Sequence, residues 1–246
     1  MISIYPITLS QAEFRAAPER ERLFYLKLGL ITNEVSCLNK SALFSLRQPE
    51  SSELMSRAGS TLGMLHFRLL AGRLYEAHRV ITGGFKPLLL TYRSRKNLKL
   101  REAYSRLNAY FDDPLNLVKA VRHKLAFHTD DEVFRAGVGL MAEDDDLTDY
   151  MCEQRGNTLF WSGEVAMVAA LQHLVGVDDA TKAFDKLLGD LNEVAALVND
   201  FAFAFAMAFF DRNFPEKRKN IGQGKIEISG AAVLTEMSLP FFYEVP

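Results

Sequence analysis

Residues 201 to 210 read Phe-Ala-Phe-Ala-Phe-Ala-Met-Ala-Phe-Phe, a run that is apolar on every side of a helix. A helix at the surface of a domain needs only one apolar face, so this one is either central or covered by another subunit. The run ends the longest regular pattern in the chain. Phe184, Leu188, Leu191, Ala195, Val198, Ala202, Phe205 and Phe209 recur at steps of four and three, which predicts one long helix capped by Asp178 or Asp179. The least polar stretch, Ala195 to Phe210, contains Asn199 and Asp200 and is shorter than the ~20 apolar residues of a membrane span. The N-terminal segment has neither the basic start nor the apolar run of a signal peptide. The expectation is a soluble cytoplasmic chain with no membrane contact.

The same rhythm predicts other helices. Phe24, Leu28, Ile31, Val35, Leu38 and Ala42 form a stripe from Glu19 to about Leu46, with Pro18 near its first turn and Pro49 as its stop. Leu54, Ala58, Leu62, Leu65, Leu69 and Gly72 form a second, capped by Ser51 or Ser52 and closed by Gly83-Gly84. Its Gly59, Gly63 and Gly72 leave room for a close neighbour. A shorter helix carries Leu100, Tyr104, Leu107 and Phe111, and Asp113-Pro114 reads as the start of a fourth, through about His128. Glu132 to Met141 and Asn157 to Trp161 are short and glycine-flanked, around the acidic turn Glu143 to Asp146, which predicts a small hairpin or irregular insert at about 130–162. Helix resumes from about Gly163 to Val175. The tail from Ile221, with Gly222, Gly224, Pro240 and Pro246, reads as extended or loose. No repeat or linker interrupts this order. The expected fold is a single all-α domain over 1–246, an antiparallel helical bundle with the insert after the fourth helix. The Phe184 to Phe209 stripe should pack against the Phe24 to Ala42 stripe.

Charge narrows the function. Twenty-nine basic residues against 31 acidic ones leave a net charge of −2, so nothing draws in nucleic acid globally. A local patch is present: Arg93, Arg95, Lys96, Lys99 and Arg101 lie close together without an acid, flanked by Tyr92 and Tyr104. Such a run either holds a nucleic-acid backbone beside stacked bases or is a solvated helix face. Cys37 and Cys152 are too few for a disulfide framework or a four-cysteine zinc site. His128, Asp130, Asp131 and Glu132 match no calcium-loop spacing, and His123 and His128 point about 140° apart on a helix, so no metal site is expected. Gly222-Gln223-Gly224-Lys225 lacks the full spacing of a phosphate loop. Neither a dinucleotide fingerprint nor a nucleophile elbow occurs, and no cofactor is expected.

The segment Val121-Arg122-His123-Lys124-Leu125-Ala126-Phe127-His128 resembles the HEPN superfamily, α-helical domains that often carry arginine, four to six residues, then histidine. A polar residue usually follows that arginine, and His123 fills the place. The resemblance implies a metal-independent endoribonuclease of a defence, abortive-infection or toxin–antitoxin type. Arg122, His128 and His123 would form its site, a homodimer would bring two motifs face to face, and an antitoxin or other protein would be a partner. Asp130 stands where some toxin branches have tyrosine. A second spacing, Arg73 to His78, lies inside the second long helix, where pairing with Glu76 or solvation accounts for it, and chance supplies about one such spacing in a chain of this composition.

The chemistry suits Arg122 and His128. Histidine titrates near neutrality and takes a 2′-hydroxyl proton, while arginine offers a fixed fork to a crowded phosphate. On a helical wheel Leu117, Val121, Leu125 and His128 share one face, with Arg122 about 120° from His128. That placement equally fits a core histidine in a non-catalytic helical module that binds a partner protein or a nucleotide-like ligand. A homodimer would cover the Phe201 to Phe210 run, as would a monomer in which that helix is central.

Overall fold

The computed structural model describes residues 2–48, 52–222, 224–233 and 236–244. Pro49 and Ser51, read as a helix stop and a cap, Gln223 in the glycine-rich segment, and Pro246 in the tail lie outside the described residues. The protein is an all-α helical bundle. Its helices are α1 (Gln11–Arg15), α2 (Glu19–Ser45), α3 (Glu53–Phe85), α4 (Leu98–Asp112), α5 (Leu117–Val121), α6 (Asp131–Val138), α7 (Trp161–Val175), α8 (Ala180–Asn213) and α9 (Pro215–Lys219). A short antiparallel pair joins β1 (Ile2–Ile4) to β2 (Ile226–Ile228), with Ser3 opposite Glu227.

Packing divides the chain into two compact units: Met1–Asn33, Glu76–Asp112 and Ala195–Glu236 in one, Glu34–Tyr75, Asp113–Val194 and Met237–Pro246 in the other. Three of the breaks fall inside α2, α3 and α8, so no linker composition marks them in a sequence that reads as one domain.

In the first unit α8 meets α2 through aromatic rings. Phe24 lies edge-on to Phe205 at 4.6 Å, Tyr25 stacks on Phe209 at 4.7 Å, and Phe85 meets Phe201 at 5.2 Å. Such pairs add about 0.5–1.5 kcal/mol each beyond their burial. One carboxylate is sealed in beside them. Glu21 accepts from Tyr92 Oη at 2.6 Å, Asn213 Nδ2 at 2.9 Å and Arg212 Nε at 3.3 Å. Burial, with Glu21 beside it, pushes the Tyr92 phenol far above its ordinary range, so it stays a proton donor.

In the second unit Phe67 of α3 meets Phe184 of α8 at 5.3 Å. Gly137 lets α6 lie directly on α7, where a Cβ would stand 2.4 Å from the Ala170 nitrogen. The segment Glu132 to Met141, read as hairpin material, is therefore mostly helix: Asp130 Oδ1 caps α6 by accepting from Val133 N–H at 3.1 Å. Pairing in the insert is one bridge, Tyr150 to Leu159. Arg57 holds this loop, donating to Tyr150 Oη at 2.9 Å and Asp146 Oδ2 at 2.6 Å, with its guanidinium 5.2 Å from the Trp161 ring. Hydrogen bonds from Thr148 and Arg57 bring the Asp146 carboxyl down to about 2.

Two further expectations are corrected. Of the expected α3 stripe Ala58 and Gly72 are buried, but Leu65 is 41% exposed, and the buried face also carries Met64, Phe67, Leu70, Leu74, Ala77 and Ile81. The helix expected from Asp113 begins at Leu117, because Asn116 Oδ1 accepts from Lys119 N–H at 3.0 Å and Asp113 instead closes the preceding turn onto Leu115 N–H. Among the described residues α8 is long and apolar enough to cross a membrane, at mean hydropathy 1.6 over its most apolar stretch, although Ala195 to Phe210 alone is not. That stretch is 56% buried by the rest of the protein, as a core helix is. Asp179, of the two candidates, caps it through Lys182 N–H at 3.0 Å.

Leu191 is 1% exposed. Replacing it with alanine should cost about 2–5 kcal/mol in urea unfolding, since its site is walled on all sides. A loss within experimental error would place this part of α8 at the surface.

Candidate functional site

The arginine–histidine segment does not continue as an α-helix. After α5 the chain makes a π-helical turn, Arg122–Ala126, and leaves helical geometry at Phe127. A π turn takes up an extra residue, which rotates everything after it by about 100° against an ideal wheel. Leu117, Val121 and Leu125 are buried as expected, but His128 is not on their face. It lies exposed in the turn that follows. The reading of His128 as a core residue is thereby corrected.

One face of α3 cradles this turn. Arg68, Gly72 and Tyr75 stand at steps of four and three. Arg68 Nη1 donates to the Leu125 carbonyl at 3.4 Å. Gly72 admits Phe127 so closely that a Cβ there would be 2.3 Å from ring atom Cε2. The Arg122 guanidinium lies 5.6 Å from the Phe127 ring and 5.8 Å from the Tyr75 ring. Cation–π contact with both rings helps hold it, and Arg122 is half-buried. His123 is exposed, with its ring edge-on to Tyr75 at 5.1 Å. The structure thus brings Arg122 and His123 onto Tyr75, and leaves His123 and His128 in solvent.

Charges around the turn are arranged unevenly. Lys124 Nζ pairs with Asp130 Oδ2 at 2.5 Å; this hydrogen bond raises the lysine and lowers the aspartate. Burial lowers the Arg68 guanidinium and raises the Glu164 carboxyl, each partly offset by their mutual attraction. Gly72 is marked in the sequence as room for a close neighbour and Phe127 lies inside the arginine–histidine segment, whereas Arg68 and Tyr75 have no motif and are pointed at only by their α3 spacing of four and three from Gly72. The competing spacing is structural: Arg73 pairs with Glu34, not Glu76, and His78 stacks on Phe111 at 4.2 Å and meets Asn108 Oδ1 at 3.0 Å.

The basic run lies elsewhere, in the first unit. Arg93, Arg95, Lys96 and Lys99 are exposed, and Arg101 is half-buried. Ser94 caps a 3-10 turn over Arg95–Asn97 that leads into α4. The flanking tyrosines are not free to stack on bases, which corrects the sequence reading. Tyr92 is sealed on Glu21, and Tyr104 packs on Phe85 at 5.1 Å. Lys96 and Lys99 instead border a groove of about 720 Å³ with Phe203 and Met207 on its wall. Arg106 meets Asp200 at 3.7 Å and Arg218 meets Asp211 at 3.2 Å there, so two of the groove's cations are already partnered. Among the described residues no group of three or more His, Cys, Asp or Glu side chains is placed to hold a metal.

Gly72→Ala tests the cradle. Phe127 is 55% exposed, so its ring can swing outward, and stability should change by less than about 1 kcal/mol. Arg122 should then react several-fold faster with phenylglyoxal, read by peptide mass mapping; an unchanged rate would show that Phe127 does not hold it.

Compared with protein-family models, curated proteins and solved structures, the chain matches none.

Proposed function

We propose that the protein is a HEPN-like RNA-binding protein that cleaves RNA without a metal, in a defence or toxin–antitoxin setting. The observation that carries this reading is the π turn, a rare element that recurs at functional sites, placed on Arg122–Ala126. It leaves His123 and His128 exposed next to an arginine that contacts two aromatic rings. In the reaction His128 takes the proton of a 2′-hydroxyl, whose oxygen attacks the adjacent phosphorus. Arg122 and His123 stabilise the charge on the phosphate oxygens as the P–O5′ bond breaks, leaving a 2′,3′-cyclic phosphate and a 5′-hydroxyl that takes its proton from water. Arg93, Arg95, Lys96, Lys99 and Arg101 supply a basic patch for the RNA backbone, and its contribution should weaken with salt.

The homodimer belongs to the same reading. α8 buries Phe201, Phe205 and Phe209 but leaves Phe203 69% exposed. Phe203, Ala202 and Ala206 line an uncharged trough of about 620 Å³ with Gly29 and the exposed Leu26 and Leu30 of α2. A projecting ring beside a trough of small residues suits isologous pairing with a second copy. The same trough favours a second reading, a non-catalytic helical module whose apolar surface receives a protein partner.

Two experiments test these readings. Labelled single-stranded RNA incubated with the protein in EDTA should be cut, and His128→Ala should lower the rate at least 100-fold. Equal traces from both proteins reject the enzyme and leave the binding module. Sedimentation equilibrium at micromolar concentration should show a species of twice 27.7 kDa that Phe203→Glu returns to the monomer mass. A single species of monomer mass before substitution rejects the dimer.

A further inference from the structure

Leu239 and Tyr243, in the segment that follows β2, are held by their backbone within the second unit. Asn157 is 6% exposed, and its amide engages both polar groups of one residue. Its Nδ2 donates to the Tyr243 carbonyl at 2.6 Å, and its Oδ1 accepts from the Tyr243 N–H at 3.0 Å. Gln154 Nε2 donates to the same carbonyl at 3.0 Å, and the Tyr243 hydroxyl donates to the Arg155 carbonyl at 3.1 Å. Four residues earlier, Leu239 N–H donates to the Phe44 carbonyl at 3.0 Å, and its own carbonyl accepts from Gln48 Nε2 at 3.1 Å. Gly156 completes the seat at φ +90°, where a Cβ would stand 2.4 Å from the tyrosine oxygen.

This is recognition of an extended peptide through its main chain, with one shaped position for a side chain. Two features separate it from ordinary core packing. The tyrosine is 51% exposed, so little apolar surface seals the contact and the segment can leave. A departing tail strips both amide atoms of a buried asparagine of their partners, which is costly, so the site calls for an occupant. An occupant must offer an N–H and a C=O from one extended residue, which a peptide does. The seat does not depend on the tail for its own shape: Tyr150 and Leu159 bond to each other at 2.8 and 2.9 Å, and Arg57 ties Tyr150 and Asp146 to α3.

We propose that the insert around Asn157 is a binding site for an extended peptide bearing an aromatic residue, and that the chain's own Leu239 to Tyr243 segment occupies it as an intramolecular ligand. The site stands apart from the RNA chemistry proposed above. Its natural competitor is an aromatic-bearing extended segment of another protein, which must outcompete a tail held at high effective concentration.

A fluorescein-labelled peptide with the sequence of residues 237–246 tests this by anisotropy against the 246-residue chain. The unaltered chain should bind it weakly. Tyr243→Pro deletes the N–H that Asn157 accepts, frees the seat, and should tighten peptide binding at least tenfold. Adding Asn157→Leu should abolish the gain, with protected Tyr150 and Leu159 amides in hydrogen exchange showing that the insert is still folded. If that variant loses this protection, Asn157→Asp takes its place, keeping the acceptor and removing the donor. Equal binding by the unaltered and Tyr243→Pro chains overturns occupancy by the chain's own tail. Equal binding with and without the Asn157 amide overturns the site. Fast exchange of the Tyr243 amide in the unaltered chain also overturns occupancy.

Discussion

Burial of Phe201, Phe205 and Phe209 on one side of α8 governs the first unit. These residues are spaced by four, so one helix face carries all three into Phe24, Phe85 and Tyr25. The same geometry turns Phe203 about 160° away from Phe201. No rotation of α8 buries both sets, and the ring left outside is the price of the core. The exposed ridge that the proposed dimer uses therefore follows from helical spacing, without any separate requirement for an interface.

A different constraint shapes the candidate site. Had α5 continued as an α-helix through Phe127, His128 would have joined Leu117, Val121 and Leu125 in the interior. The π turn breaks that register, and the cradle on α3 stabilises the break. A donor from Arg68 satisfies the Leu125 carbonyl, a missing side chain at Gly72 admits Phe127, and Tyr75 and Phe127 share Arg122. Local departure from ideal geometry is thus maintained by contacts remote in sequence.

That remoteness explains what could and could not be read from the residues. The fold class was legible because stripes at steps of four and three survive in any helical bundle, and the Asp178-Asp179 pair marks the α8 cap to within one residue. Where an apolar stripe has neighbours on two sides, as on α3, periodicity leaves its register uncertain by a residue, and Leu65 fell outside. Arg122 and His128 stood out by spacing, but the wheel assumed 3.6 residues per turn and so buried a histidine that lies in solvent. Tyr92 beside five cations looked like a stacking platform. Its partner, Glu21, is 71 positions away, a separation that sequence periodicity cannot register.

The Glu21 cluster also bears on the order in which the protein takes shape during synthesis. Its donors come from Tyr92 and from Arg212 and Asn213 at the end of α8. Chains emerge from the ribosome N-terminus first. All but the tail of the second unit, through Val194, is therefore outside the exit tunnel before the last donors exist there. Until they arrive, the carboxylate has Tyr92 alone of its three donors, and Phe24 and Phe85 have no α8 rings to cover them. The nascent first unit must wait with its aromatic side open, which makes it the half of the newborn chain that a chaperone would hold.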